Sequence, residues 1–452
     1  MKSNHSIRLP HAPTVVVTAI TTAWLTADGE LENLHHDETV QRLKSNKTPI
    51  VCHAPATARR LGIEPFHAFD VLELFAFAVP AQICIPTPRG VAKAVGLDAL
   101  EVQEDEPILL LKATQRLLAS ITTSNFQSDS IAIAISMTHG GWLWGEYVLS
   151  ALGVDFDLSI PNIQTGLQVW NSLDEWSEDA PPPLPGDLAV DAGEARSRLA
   201  AMLGKDAEER PSQADYASAA TQAFQSRHDE EEPHFLIAEA GTGVGKTKGY
   251  IAPASVWAEK NETPVWISTY TRNLQHQIDQ ELSSLYPDPA IKRDKVVIRK
   301  GRENYLCLLN LEEAVRTVSV RQEEAIVIGL MARWAAETRD GDLNGGDFPA
   351  WLSDLVGRHR TLGLTDRRGE CIYSACPHYS RCFIERSIRC ARHANLVIAN
   401  HALVMIQAAR GQVGGRSPPV RYIFDEGHHV FDAADSAFST HLSGLEAAEF
   451  RR

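Results

Sequence analysis

The stretch HFLIAEAGTGVGKTKGYIAPASVWAEK, residues 234–260, constrains the fold more than any other part of the chain. An apolar run, a loop with glycines at 241, 243 and 245, and a longer apolar-periodic segment read as strand, tight loop and helix. Glycines at alternate positions let the backbone curl until its N–H groups converge, and the helix N-terminus adds a partial positive charge. Such a loop is built for phosphate. Ala240, Gly241, Thr242, Gly243, Val244, Gly245, Lys246 and Thr247 are therefore the expected nucleotide-binding residues. Lys246 would reach the β- and γ-phosphates of ATP, and Thr247 would ligate Mg²⁺. Ala240 stands where the usual pattern has a fourth glycine.

A phosphate loop needs an acid at a neighbouring strand end. RYIFDEGHH, residues 421–429, reads as a buried strand ending in Asp425 and Glu426. Asp425 is expected to hold Mg²⁺ through water, Glu426 to polarise the attacking water, and His428 to couple the site to the rest of the protein. PVWISTYTRNLQHQIDQEL repeats the strand-to-helix step. Strands alternating with helices, with polar residues at the strand ends, indicate an α/β class with a parallel sheet.

LDEWSEDAPPPLPGD, residues 173–187, joins an acidic run to a proline run and reads as a solvated linker. It separates an N-terminal module, 1–172, from a linker and helix, 173–204. In the module, TVVVTAITTAWLTADGELENL reads as a strand, a turn at Asp28-Gly29 and a second strand, and TPIVCHAPATARRLGI as a strand running into a helix. The net charge of −15 is uneven. Residues 1–232 carry 16 Lys and Arg against 32 Asp and Glu, whereas the remainder carries 27 against 26, so the second half is free to present a basic groove. No apolar run is long and uninterrupted enough to span a bilayer, and the start lacks the apolar core of a secretory signal, which gives an expectation of a cytoplasmic protein without a membrane partner.

Four of the seven cysteines fall between 371 and 390. In a reducing compartment such clustering argues for metal or cluster ligation rather than disulfides. Cys371, Cys376 and Cys382 in CIYSACPHYSRC, with Cys307 in GRENYLC, offer four thiolates suited to zinc or to an iron-sulfur cluster, the wide gaps favouring the cluster. Cys52 and Cys84 read as buried bystanders, and Cys390 as a packed thiol on a helix leading into NLVIANHALV.

EAGTGVGKT, STYTRNLQHQI, GRENYLC, CIYSACPHYSRC, NLVIANHALV and FDEGHH occur in the order seen in DinG-like helicases of the iron-sulfur XPD group, and the chain resembles that family over about residues 205–435. The resemblance implies a RecA-like motor domain in two parts, 205–300 and 393–452, the second holding the acid box and the start of an arch domain. It also implies an inserted domain, 301–392, with a 4Fe-4S cluster on Cys307, Cys371, Cys376 and Cys382. By the same resemblance Gln213 in RPSQ would contact adenine, Thr269 and Thr271 would touch DNA, and Asn400 and His401 would belong to a motor-core motif of no assigned catalytic role. ATP hydrolysis would drive 5′ to 3′ movement on single-stranded DNA and at DNA junctions, in repair or replication. Arginines and lysines of VVIRKGREN and RSIRCAR are candidate phosphate contacts, each adding about 0.7 to the salt slope of single-strand binding.

More faintly, the N-terminal module resembles the DnaQ-like, RNase H-like exonuclease fold. Its metal-binding acids would align with Thr18, Ile20 and a position near Ala58, and Asp70 would match an aspartate outside the metal site. Without those carboxylates the module is expected to be a degenerate nuclease fold acting as a docking platform for an unknown protein partner.

The chain ends at GLEAAEFRR, and no Ser-Ala-Thr motif, second motor domain or arginine-finger motif follows the acid box. The sequence is therefore expected to be the N-terminal part of a longer helicase, binding ATP weakly and unwinding nothing by itself. The alternative is an ATP- and DNA-binding adaptor with a four-cysteine zinc site.

Overall fold

Two sheets organise the chain, each with its own helices and its own core. The structure, a computed structural model, describes residues 7–45, 48–97, 105–123, 128–154, 164–176, 185–204, 210–227, 233–241, 243–366, 370–410 and 419–439, and the single positions 444 and 447. Two compact units result, one from Met1–Trp176 with Arg302–Phe383 and one from Ser177–Gly301 with Ile384–Arg452.

In the first unit β1 (Thr14–Val17), β2 (Thr22–Leu25), β3 (Leu31–Leu34), β4 (Ile50–Val51) and β5 (Phe69–Asp70) form a mixed sheet of order β3-β2-β1-β4-β5. The first three are antiparallel, and β4 and β5 run parallel to β1. The sequence suggests one strand before Asp28-Gly29, where the structure has a hairpin. Thr18 makes the extra turn: its N–H and Oγ1 both donate to Thr21 O, at 2.9 and 2.8 Å, and Oγ1 accepts from Thr21 N at 3.1 Å. A threonine hydroxyl here does what glycine does elsewhere, so composition hid the turn.

Of residues 301–392, set apart by sequence as a domain of their own, the segment 302–383 shares one hydrophobic core with the N-terminal module. The helix Glu324–Glu337, EAIVIGLMARWAAE, shows why: it is apolar nearly all round and needs cover on more than one side. The helices Val71–Ala78 and Ser128–His139 supply it, with Arg333 Nε donating to Phe77 O at 3.0 Å and Gly329 leaving room for Met137. Trp351 packs edge-on against Phe75, 6.0 Å between centroids, and donates Nε1–H to Cys84 O at 3.1 Å. The proline run at 181–183 lies outside the described residues.

The second unit holds β6 (Val265–Thr269), β7 (Val296–Ile298), β8 (Leu396–Asn400) and β9 (Tyr422–Phe424), all parallel, in the order β7-β8-β6-β9. β6 and β8 are central and nearly all buried, as parallel strands covered on both faces should be. Two sequence expectations fail at the other end of this sheet. HFLIA is not a strand but an extended segment, with Phe235 83% and Ile237 82% exposed. β9, expected to be buried, is an edge strand with Tyr422 and Phe424 exposed. The two departures share a cause: among the described residues no strand pairs with the outer edge of β9, so the apolar side chains on both segments lack cover.

Candidate nucleotide and cysteine sites

The helix Lys246–Asn261 begins at the glycine loop, with Gly245 as its N-cap at φ 83°. That left-handed value favours glycine, and a Cβ there would collide with the Gln213 amide. Gln213 is buried and donates Nε2–H to Gly245 O at 2.8 Å, and Arg210 donates to Gly243 O at 3.0 Å. RPSQ thus braces the loop from behind. The amide expected to read adenine bonds the loop backbone through Nε2 and lines the cavity at the loop. Thr242 lies outside the described residues.

Facing the loop, β9 delivers the acids. Asp425 N–H donates to Ser268 O at 2.8 Å, extending the β6–β9 ladder by one residue. Glu426 then turns sharply, with φ 53° and ψ 49°, a left-handed conformation that costs a non-glycine residue about 1–2 kcal/mol. The turn aims Glu426 Oε1 at Lys246 Nζ, 3.4 Å away, with His428 Nδ1 3.6 Å from Oε2. A cavity of about 570 Å³ opens here, lined by Gly243, Lys246, Thr247, Asp425 and Glu426 together with Ile278. That volume suits a bound small molecule. Ala240 and Val244 are half-buried in the loop, and Gly241 is exposed, with nothing near its Cα to block a ligand.

Burial raises the Asp425 carboxyl above the usual range, Glu426 adds to the rise, and Lys246 opposes it. Tyr250, one helical turn after the loop, is buried beside Asp425 and Thr247, and its Oη lacks a well-formed hydrogen bond among the described residues. A cation and phosphates would relieve both conditions, so the donor set fits a magnesium-nucleotide.

The predicted DNA contacts divide. Thr269 is the last residue of β6 and is fully buried, so it offers no surface to a strand of DNA. Thr271 is exposed and caps the helix Arg272–Leu282, its Oγ1 accepting from Leu274 N at 3.3 Å. Sequence reading missed one neighbour, Tyr270, whose ring stacks on His429, and left without a catalytic role another, His401, which is hydrogen-bonded to Ser268.

Cys307, Cys371, Cys376 and Cys382 all belong to the first unit. Cys307 is the N-cap of the helix Leu308–Thr317, with the N–H groups of Leu309 and Asn310 near its sulfur but no side-chain capping hydrogen bond. Two short turns, Tyr373–Ala375 and Tyr379–Arg381, each end on a cysteine, Cys376 and Cys382. Arg302 donates to Cys371 Sγ at 3.1 Å and to Asp366 Oδ2 at 3.0 Å. Burial pushes the Cys307 thiol up to about 11 and raises Cys376, and Cys376 lies within electrostatic reach of Cys307 and Cys371. N–H donors aimed at sulfur suit thiolates bound to a soft metal or cluster. Among the described residues, however, no three His, Cys, Asp or Glu side chains converge closely enough to hold a metal ion. Cys390 lies in the second unit and is exposed, not packed, on the helix Phe383–His393.

A glycine loop opening a helix, a lysine–glutamate pair across a cavity and a strand-end aspartate on a parallel sheet define a P-loop nucleotide-binding unit. No protein-family model matches the chain. Among curated proteins it is 32% identical over 221 residues to the ATP-dependent DNA helicase YoaA of Haemophilus influenzae, which covers 47% of this chain and 32% of that protein. It is 31% identical over 258 residues to the ATP-dependent helicase DinG of Mycobacterium tuberculosis, 52% of this chain and 36% of that one. The 3'-5' exonuclease DinG of Bacillus subtilis is 31% identical over 223 residues, 47% of this chain and 22% of its own length. Over the matched half the chain is similar to proteins named DinG and YoaA. The alignments span about a third of the two helicases' length. Among the described residues no helix is long and apolar enough to cross a membrane.

Proposed function

We propose that the chain is the nucleotide-binding and cysteine-bearing portion of an ATP-dependent DNA helicase that moves 5′ to 3′ on single-stranded DNA and at junctions. The observation that carries this is the 3.4 Å approach of Lys246 and Glu426 across the cavity at the glycine loop. In this reading Lys246 and the loop N–H groups neutralise the phosphates, Thr247 and Asp425 hold Mg²⁺, and Glu426 orients the attacking water. His428, beside Glu426, relays the state of the site. Magnesium supplies charge neutralisation when bound. Thr271, exposed at a helix N-cap next to the acid box, takes the DNA role once shared with the buried Thr269.

The four cysteines are proposed to carry a 4Fe-4S cluster. Arg302 on Cys371 and the backbone donors on Cys307 and Cys376 support that reading. That similar proteins are ATP-dependent helicases favours a helicase over the zinc adaptor. For the N-terminal module, the β3-β2-β1-β4-β5 sheet supports the nuclease-like fold, and the exposed Thr18 and Ile20 support its lack of metal binding.

The reading is tested with labelled DNA carrying a 5′ tail, a 3′ tail or blunt ends, titrated with the protein at several salt concentrations, with and without ATP and Mg²⁺. Tailed DNA bound in preference to blunt duplex, with affinity that responds to nucleotide, is the expected result. Equal affinity for all three DNAs and no response to nucleotide would reject it.

A further inference from the structure

Directly behind the acid box lies a histidine whose surroundings assign it a task. His401 opens the helix His401–Arg410 at the end of β8 and is only 1% exposed. Its Nδ1 lies 2.7 Å from Ser268 Oγ on β6. The main-chain oxygen of the same serine accepts from Asp425 N. Its other ring nitrogen, Nε2, is buried without a well-formed hydrogen bond among the described residues, and the ring lies close enough to the main chain of Asp425 and Glu426 to interact with it. The ring also lies against Phe424, 5.9 Å between centroids.

A buried imidazole with one nitrogen poorly bonded is costly, and such groups earn an explanation. The left-handed turn at Glu426 needs one as well, because a strained residue persists only where its surroundings over-determine it. Both are explained together if the ring is the wall on which the turn rests. Ser268 fixes one nitrogen, which fixes the ring plane, and the other nitrogen is left to serve the acid-box backbone.

We propose that His401 is a positioning residue of the nucleotide site: tethered by Ser268, it holds the main chain of Asp425 and Glu426 so that both carboxylates face the glycine loop. The inference rests on the nucleotide reading above and adds a residue for which sequence offered no catalytic role. Its signature is selective. Losing the support should weaken the part of nucleotide binding that depends on the acids, which is the magnesium-dependent part, and spare the part made by the loop.

The test is a titration of the whole chain with a fluorescent ADP analogue in Mg²⁺ and in EDTA, comparing wild type with His401→Asn, His401→Gln and Ser268→Ala. Asparagine keeps a polar atom near Nδ1 but is too short for the acid box, whereas glutamine reaches the place of Nε2. His401→Asn should lower the gain in affinity due to Mg²⁺ on the order of tenfold, the usual effect of losing an outer support, while leaving the EDTA value close to wild type. His401→Gln should recover most of that gain, and Ser268→Ala, which keeps the ring and removes its tether, should lie between. A wild-type Mg²⁺ gain in His401→Asn, or equal losses in Mg²⁺ and EDTA in both histidine variants, would overturn the proposal. If wild type binds no nucleotide under either condition, the nucleotide reading falls and this one with it.

Discussion

The ring of Tyr270 lies flat on the imidazole of His429, 3.8 Å between centroids and 13° from parallel. Tyr270 directly follows β6, and His429 N–H donates to Glu426 O at 3.0 Å, so the stack ties the end of β6 to the acid-box turn. With Ser268 O on Asp425 N and Ser268 Oγ on His401, two positions at the end of β6, Ser268 and Tyr270, bear on the acids or their supports. Thr271 is the next residue. Anything that moves Thr271 therefore pulls on the chain segment holding Asp425 and Glu426.

Aromatic pairs contribute about 0.5–1.5 kcal/mol beyond their burial, so Tyr270→Ala should lower magnesium-nucleotide affinity about two- to tenfold. The stack needs a ring and not a hydroxyl. Tyr270→Phe should therefore bind as wild type does, and fluorescence titration of the two variants distinguishes stacking from hydrogen bonding.

In the first unit, burial raises the Asp70 carboxyl well above its ordinary range and brings Glu73 to about 7, with Trp142 Nε1–H donating to Glu73 at 3.0 Å. A carboxyl whose folded value exceeds its unfolded one keeps its proton longer when folded. Stability then falls as pH rises from the ordinary carboxylate range, 4.5 for Glu73, to about 7, and the loss is complete above that. Glu73→Gln removes a charge that is costly to bury. Denaturant unfolding followed by tryptophan emission should show a shallower decline between pH 5 and 8 than wild type, on the order of those values, with the largest difference at the alkaline end.

Trp334 is buried in the core common to the N-terminal module and residues 302–383, edge-on to Phe348 and donating to Asp347 Oδ1 at 3.1 Å. Trp334→Ala should cost about 3–5 kcal/mol. Because the two segments share one core, the loss should appear in strands β1–β5 as well as around the cysteines. Hydrogen exchange that quickens in both regions is the expected result, and quickening confined to 302–383 would contradict it.

Cysteine replacement should sort the thiols. Cys307→Ser, Cys371→Ser, Cys376→Ser or Cys382→Ser in anaerobically purified protein should each remove bound iron and visible absorbance. Cys390→Ser should leave both unchanged, since Cys390 lies exposed in the other unit. Metal analysis by mass spectrometry, with zinc measured alongside iron, gives the answer.

Much of this was legible in sequence because some requirements are local. The glycine loop, the helix it opens and the strand VWIST follow from backbone sterics and apolar periodicity, and the structure has each where expected. The hairpin at Thr18 was not legible, because side-chain oxygens rather than glycine or proline make the turn. Burial of Thr269 was hidden too, since a threonine at a strand end reads the same whether it faces core or solvent. The bond from Gln213 to Gly245 was not legible either, because what an amide bonds to is a property of packing. The single core across residues 1–176 and 302–383 left one trace, the all-round apolar helix EAIVIGLMARWAAE, which could not have been solvated on its own.

Direct calorimetric titration with ATP and Mg²⁺, wild type against Lys246→Ala, bears most directly on the pairing of glycine loop and acid box. Saturable binding at one site, weakened at least about tenfold by the alanine, or ~1.4 kcal/mol, is predicted. Absence of binding to wild type, or equal affinity in both proteins, would contradict the account.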